Sequence, residues 1–150
     1  MEMLDNLGHL GVVLQLAIAP MILISGVGYV LSSLTDRYGR IVDVSRMFAG
    51  NIRDEQVDSR RIQLKTELNI LLTRAKLVRA SITFSVLSLL FISVLILSLF
   101  FMALLNLDLL DISVALFVSS LSVFTISLIF FILDVNLSLK ALTLETESLK

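Results

Sequence analysis

Three stretches of the chain carry no charged side chain: Leu10 to Leu34, Ala80 to Leu107 and Ile112 to Leu133, of 25, 28 and 22 residues. About 20 helical residues cross a hydrocarbon core of about 30 Å, so each run is long enough to span a bilayer. A core helix of a soluble protein would keep a stripe of Lys, Glu or Arg along its outer face, and none of these runs does. The pattern predicts three transmembrane helices. The first run is too long for a signal peptide, and it is preceded by Glu2 and Asp5 rather than by basic residues, so it is expected to stay as a span.

The segment between the first two spans, about 36 to 79, has a different rhythm. Tyr38, Ile41, Val42, Phe48 and Ile52 alternate with Arg37, Arg40, Asp43 and Arg46 at helical spacing, predicting an amphipathic helix that leaves the first span. Gly50-Asn51 reads as its cap and turn. From Asp58 a second helix is expected to run unbroken into the second span. Leu64, Leu68, Leu71, Ala75, Val78 and Ile82 recur in steps of four and three, a short heptad seam that suits a partner helix. The fold class is therefore all-α: one polytopic membrane domain with three spans and a helical cytoplasmic stalk between the first and second.

Charge fixes the expected threading. The chain has 12 Lys and Arg against 13 Asp and Glu, a net of −1. Ten of the basic residues lie between Asp36 and Arg79, and the other two, Lys140 and Lys150, follow the third span. Basic loops stay cytoplasmic, so the long loop and the C-terminus are placed inside and the N-terminus outside. The short stretch "NLDLLD" becomes an outer turn and folds the second and third spans into an antiparallel hairpin.

Within the spans, small residues recur on shared faces: Ser81, Ser85 and Ser88 in the second, Ser113, Ser120 and Ser127 in the third, with Ala115, Ser119 and Ser122 beside them. Such residues let backbones approach closely in lipid. The first span holds Pro20, expected to bend it, and at 100° per residue it sets Gln15, Ala19, Gly26 and Ser33 on one face and Ser25, Gly28 and Ser32 on another. Two readings of Gln15, Pro20, Ser25, Gly26 and Gly28 stand side by side: a packing face against the hairpin, or a hinge or pore-lining face.

Arg37, Arg40, Asp43 and Arg46 read either as solvated ion pairs along a helix surface, with Asp43 three residues from both Arg40 and Arg46, or as contacts for anionic headgroups or an acidic partner. Arg74, Lys76 and Arg79, in the last turns before the second span, can snorkel or meet anionic headgroups. Asp134, just beyond the third span, is expected to pair with Arg79 across the hairpin rather than to act as a proton site, although equal counting from the outer turn sets Ser85 opposite it. His9 is expected to be an ordinary interfacial residue. Leu64, Leu68, Leu71 and Ala75 are candidates for association of the stalk.

The chain has no Cys and one His, and no catalytic signature or intramembrane charge is present. Those observations point away from an enzyme and from a proton-coupled transporter, and no cofactor, metal or nucleic acid is expected. The segment "APMILISGVGYVLSSLTDRYGRIVDVSR", followed by "RAKLVRASI" entering the second span, resembles an uncharacterised bacterial family of small three-span membrane proteins, a domain of unknown function. The resemblance implies the bacterial inner membrane and the three-span architecture, and no activity. Members of that family commonly carry a further basic residue after the Asp; Val44 stands there, which thins the basic platform. The expected function is a homo-oligomeric scaffold or accessory subunit, with a homo-oligomeric ion channel as the alternative.

Overall fold

In the computed structural model the described backbone comprises residues 2–54, 57–105 and 109–147; side chains are described for these except 2–10, 12–14, 16, 54, 103 and 140–147. The side chains of His9 and Lys140, the whole of Lys150 and most of the outer turn, 106–108, lie outside the described residues. The chain forms three helices, α1 (Glu2–Asp54), α2 (Asp58–Leu105) and α3 (Leu110–Glu147). All three are long and apolar enough to cross a membrane, which marks a multi-pass membrane protein.

No separate stalk leaves the first span. α1 continues through Pro20, Gly50 and Asn51 to Asp54 without interruption, so the turn expected at Gly50-Asn51 is corrected. Glycine and asparagine weaken a helix by about 1 kcal/mol or less each, which neighbouring helix formers outweigh. The second expectation holds: α2 begins at Asp58 and runs unbroken into the apolar stretch. Its first turn is closed by the Arg61 N–H donating to the Val57 carbonyl at 3.1 Å.

The helices contribute to two compact units, one of Met1–Leu31 with Phe84–Thr125, the other of Ser32–Thr83 with Ile126–Lys150. In the first unit, Leu95 and Leu99 of α2 form the core with Met102, Leu116 and Phe117. Ser88 Oγ donates to the Ser120 carbonyl at 2.9 Å, and the hydroxyls of Ser98 and Ser113 lie 2.9 Å apart. In the second unit, Ser81 Oγ donates to the Ser127 carbonyl and Ser127 Oγ to the Ser81 carbonyl, both at 2.7 Å. Such reciprocal bonds require two backbones in close approach, which serine allows and a larger side chain blocks.

The buried positions explain why the pairing is regular. On α3 they are Ser113, Ser120, Ser127 and Asp134, each seven residues after the last. On α1 Val27, Leu34 and Ile41 repeat at the same interval, and on α2 Val78, Ser81, Ser85, Ser88, Ile92, Leu95 and Leu99 alternate threes and fours. A seam of period 3.5 keeps one face of each helix against its neighbours over many turns. The outward positions are Ile22, Val118, Leu97 and their like, and hydroxyls there bond to their own helix: Thr83 to the Arg79 carbonyl, Ser122 to Val118, Thr125 to Leu121. That leaves no hydroxyl proton unsatisfied at those positions in lipid.

Candidate functional site

The site is built around Asp134, the one described acidic residue with no exposed surface. It occupies the fourth place in the seven-residue series of α3, where three serines precede it. Arg37 of α1 brings Nε to 2.8 Å from its Oδ2, and Arg74 of α2 donates from Nε to Oδ1 at 3.3 Å. The Arg37 contact is an ion pair by distance, but its N–H is too far off line to count as a hydrogen bond. Each of the three helices thus supplies one member of a single cluster in the second unit. The arginine side chains keep 30% and 18% of their surface exposed, so only the carboxylate is fully enclosed.

The guanidinium of Arg37 also lies over the Phe131 ring, 5.6 Å from its centroid. Phe131 stands three residues before Asp134 on the same face of α3, so one turn of helix positions both the charge and the ring against Arg37. Beside the cluster opens a groove of about 460 Å³ whose walls include Arg37, Arg40, Ile41, Leu71, Arg74 and Phe131. Its charged lining is three arginines and, behind two of them, the buried carboxylate.

The pairing of Asp134 with Arg79 is corrected. Arg79 is exposed, and among the described residues Asp134 pairs with Arg37 and Arg74. Two physical reasons account for the difference. Arg79 lies five residues after Arg74, about 140° round the helix, so it faces away from the seam that Arg74 shares with Val78 and Ser81. In addition, the outer turn is not the midpoint of the hairpin. Ser98 is seven residues before the end of α2, but its partner Ser113 is only three after the start of α3. The later pairings, Ser88 with Ser120 and Ser81 with Ser127, keep that offset towards the N-terminus of α2.

The remaining candidates fall in different places. Gln15, Ser25 and Gly26 are exposed, Gly28 is half-buried, and Pro20 is buried beside an apolar cavity shared with Leu95, Leu99 and Phe117. Among the described residues nothing lies within 4 Å of where a Cβ would stand at Gly26 or Gly28, so no close backbone approach within the chain requires a glycine at either position there. Asp43 and Arg46 are exposed and make no ion pair among the described residues, so the expected ladder through Asp43 is absent there. Lys76 is exposed. Leu64, Leu68, Leu71 and Ala75 are half-buried, and Leu71 lines the groove.

Sequence reasoning missed the three-helix cluster, although the seven-residue step from Ser113 through Ser127 leads directly to Asp134. The same step taken backwards from Ser81 leads to Arg74.

A scan against family models matches residues 17–144 to DUF2721, a protein family of unknown function. The chain belongs to this family. The match takes in Arg37, Arg74, Phe131 and Asp134, so the whole cluster lies within the DUF2721 domain. No curated protein and no solved structure matches the chain.

Proposed function

We propose that this DUF2721 protein is a non-enzymatic integral membrane protein of the bacterial cytoplasmic membrane, a homo-oligomeric scaffold or an accessory subunit of a larger assembly. The positive residues of the segment between the first two spans support a topology with that segment and the C-terminus inside and the N-terminus outside.

The observation that carries this reading is the face of α1 holding Gln15, Ala19, Gly26 and Ser33. All four are exposed, and the glycine has open space before it. Small and polar residues on the outside of a span are where a second helix can approach closely enough for backbone contact and polar bonding. A second copy supplies such a helix most simply. The same exposure of Gln15, Ser25 and Gly26 favours one alternative, a ring of copies around an ion pathway.

Light scattering of the detergent-solubilised protein tests the association. The expected particle holds more than one copy, and Gly26→Leu, whose Cβ meets nothing within 4 Å among the described residues, should lower the mass without lowering the melting temperature. A wild-type particle of one copy would sink the homo-oligomer and leave the accessory subunit. Ion flux into proteoliposomes, lost in Gly26→Leu, would favour the ring.

A further inference from the structure

The groove beside Asp134 has more positive charge than its own fold uses. Three arginines line it and one carboxylate neutralises them, a formal surplus of two positive charges in a space of about 460 Å³. Arg37 and Arg74 each engage Asp134 through Nε. That leaves the two terminal nitrogens of each guanidinium, partly exposed, for another acceptor. Arg40 is exposed at the groove and makes no ion pair or hydrogen bond among the described residues. A single buried carboxylate therefore holds two guanidinium forks in place beside a third that is free.

We propose that this groove is a binding site for a phosphate-bearing anion with an apolar portion. Guanidinium forks match phosphate oxygens two at a time, and charge-assisted bonds of this kind are about twice as strong as neutral ones. Phosphate also balances the charge: a diester carries one negative charge and a monoester up to two. The volume falls within the ordinary range of sites for small ligands, roughly 300–1,000 Å³. The apolar walls, Ile41, Leu71 and Phe131, distinguish the site from a bare anion patch, because inorganic phosphate leaves them unused. Arg37 and Arg74 are binding residues anchored by Asp134, and Arg40 contributes to the ligand alone. The site does not depend on the number of copies in the particle, so it stands or falls separately from the association of α1.

The chemistry can come from a lipid headgroup or from a soluble phosphorylated compound, and titration of the full chain in non-ionic detergent separates them. The probes are short-chain phosphatidylglycerol, short-chain phosphatidylcholine and inorganic phosphate, read by melting temperature and by bound mass in native mass spectrometry. Saturable binding of phosphatidylglycerol, weaker for phosphatidylcholine, assigns a headgroup. Saturation by inorganic phosphate alone, with no further effect of either lipid, assigns a soluble phosphate compound. In both cases Arg40→Gln should weaken binding about tenfold, the loss of one charge-assisted contact, and leave the melting temperature of the unliganded protein unchanged. Arg46→Gln, outside the groove, should bind as wild type. The proposal is overturned if no probe saturates, if Arg40→Gln binds as wild type, or if Arg46→Gln weakens binding as much as Arg40→Gln.

Discussion

Asp134 has no exposed surface, and Arg37 and Arg74 approach it from two other helices. A carboxylate out of reach of water needs a partner on each oxygen, and removing one leaves an uncompensated charge that costs about 3–5 kcal/mol when all members are buried. Here the arginines are only partly buried, so the loss belongs at the lower end. Arg37→Gln is expected to destabilise the protein by about 3 kcal/mol, measured by thermal unfolding in detergent, and Arg79→Gln by less than about 0.5 kcal/mol because its side chain is exposed. A double-mutant cycle should find Arg37 and Asp134 coupled and Arg79 and Asp134 additive. Coupling between Arg79 and Asp134 as large as that of Arg37 would return the pairing to the register read from the sequence.

At the scale of the elements, α2 and α3 are held together by residues chosen for size. Ser81 and Ser127 are fully buried and bond to each other's backbone. Interhelical polar bonds in membranes average about 0.6 kcal/mol, so Ser81→Ala should cost about that much. Ser81→Leu must push the backbones apart and should cost at least about 1–3 kcal/mol. The same change at Ser122, which is exposed and bonds within its own helix, should be close to neutral. Equal losses for Ser81→Ala and Ser81→Leu, measured by unfolding in mixed micelles, would mean that the hydroxyl rather than the close approach holds the pair.

Those serines were legible in the sequence because a small-residue stripe is a local pattern. So were the three spans, since a helix that stays free of charge for more than about 20 residues is at home in hydrocarbon and not in water. Helix ends were less legible: α1 continues through Gly50-Asn51 because local propensity is outweighed by the rest of the helix. The partner of Asp134 was illegible for a different reason. Pairing across a hairpin depends on where the link places α3, and the turn's composition carries no record of that. Arg37 is farther still in sequence, and only packing of α1 brings it to the carboxylate.

For the molecule as a whole, the distribution of charge has to agree with the site it feeds. Arg37, Arg40 and Arg74 belong to the ten basic residues between the first two spans, and Asp134 meets two of them directly after the last apolar run. By sequence the two ends of the spans therefore differ in kind: one carries the arginines, the other only acidic residues, Glu2 and Asp5 before the first span and Asp108 and Asp111 between the second and third. Lys and Arg near the ends of spans resist translocation, so the groove is expected on the cytoplasmic face. The chain has no native cysteine, which makes single-cysteine labelling unambiguous. Ser59 is exposed in the first turns of α2, and a cysteine there should react with a membrane-impermeant maleimide only after the cells are opened. A cysteine at the exposed Ile112, at the start of α3, is expected at the outer end and should react in intact cells if it clears the headgroups. Labelling of Ser59→Cys from outside intact cells would invert the topology. It would place the groove on the outer face, where the soluble phosphates of the cytoplasm could not reach it and only the outer leaflet's headgroups could.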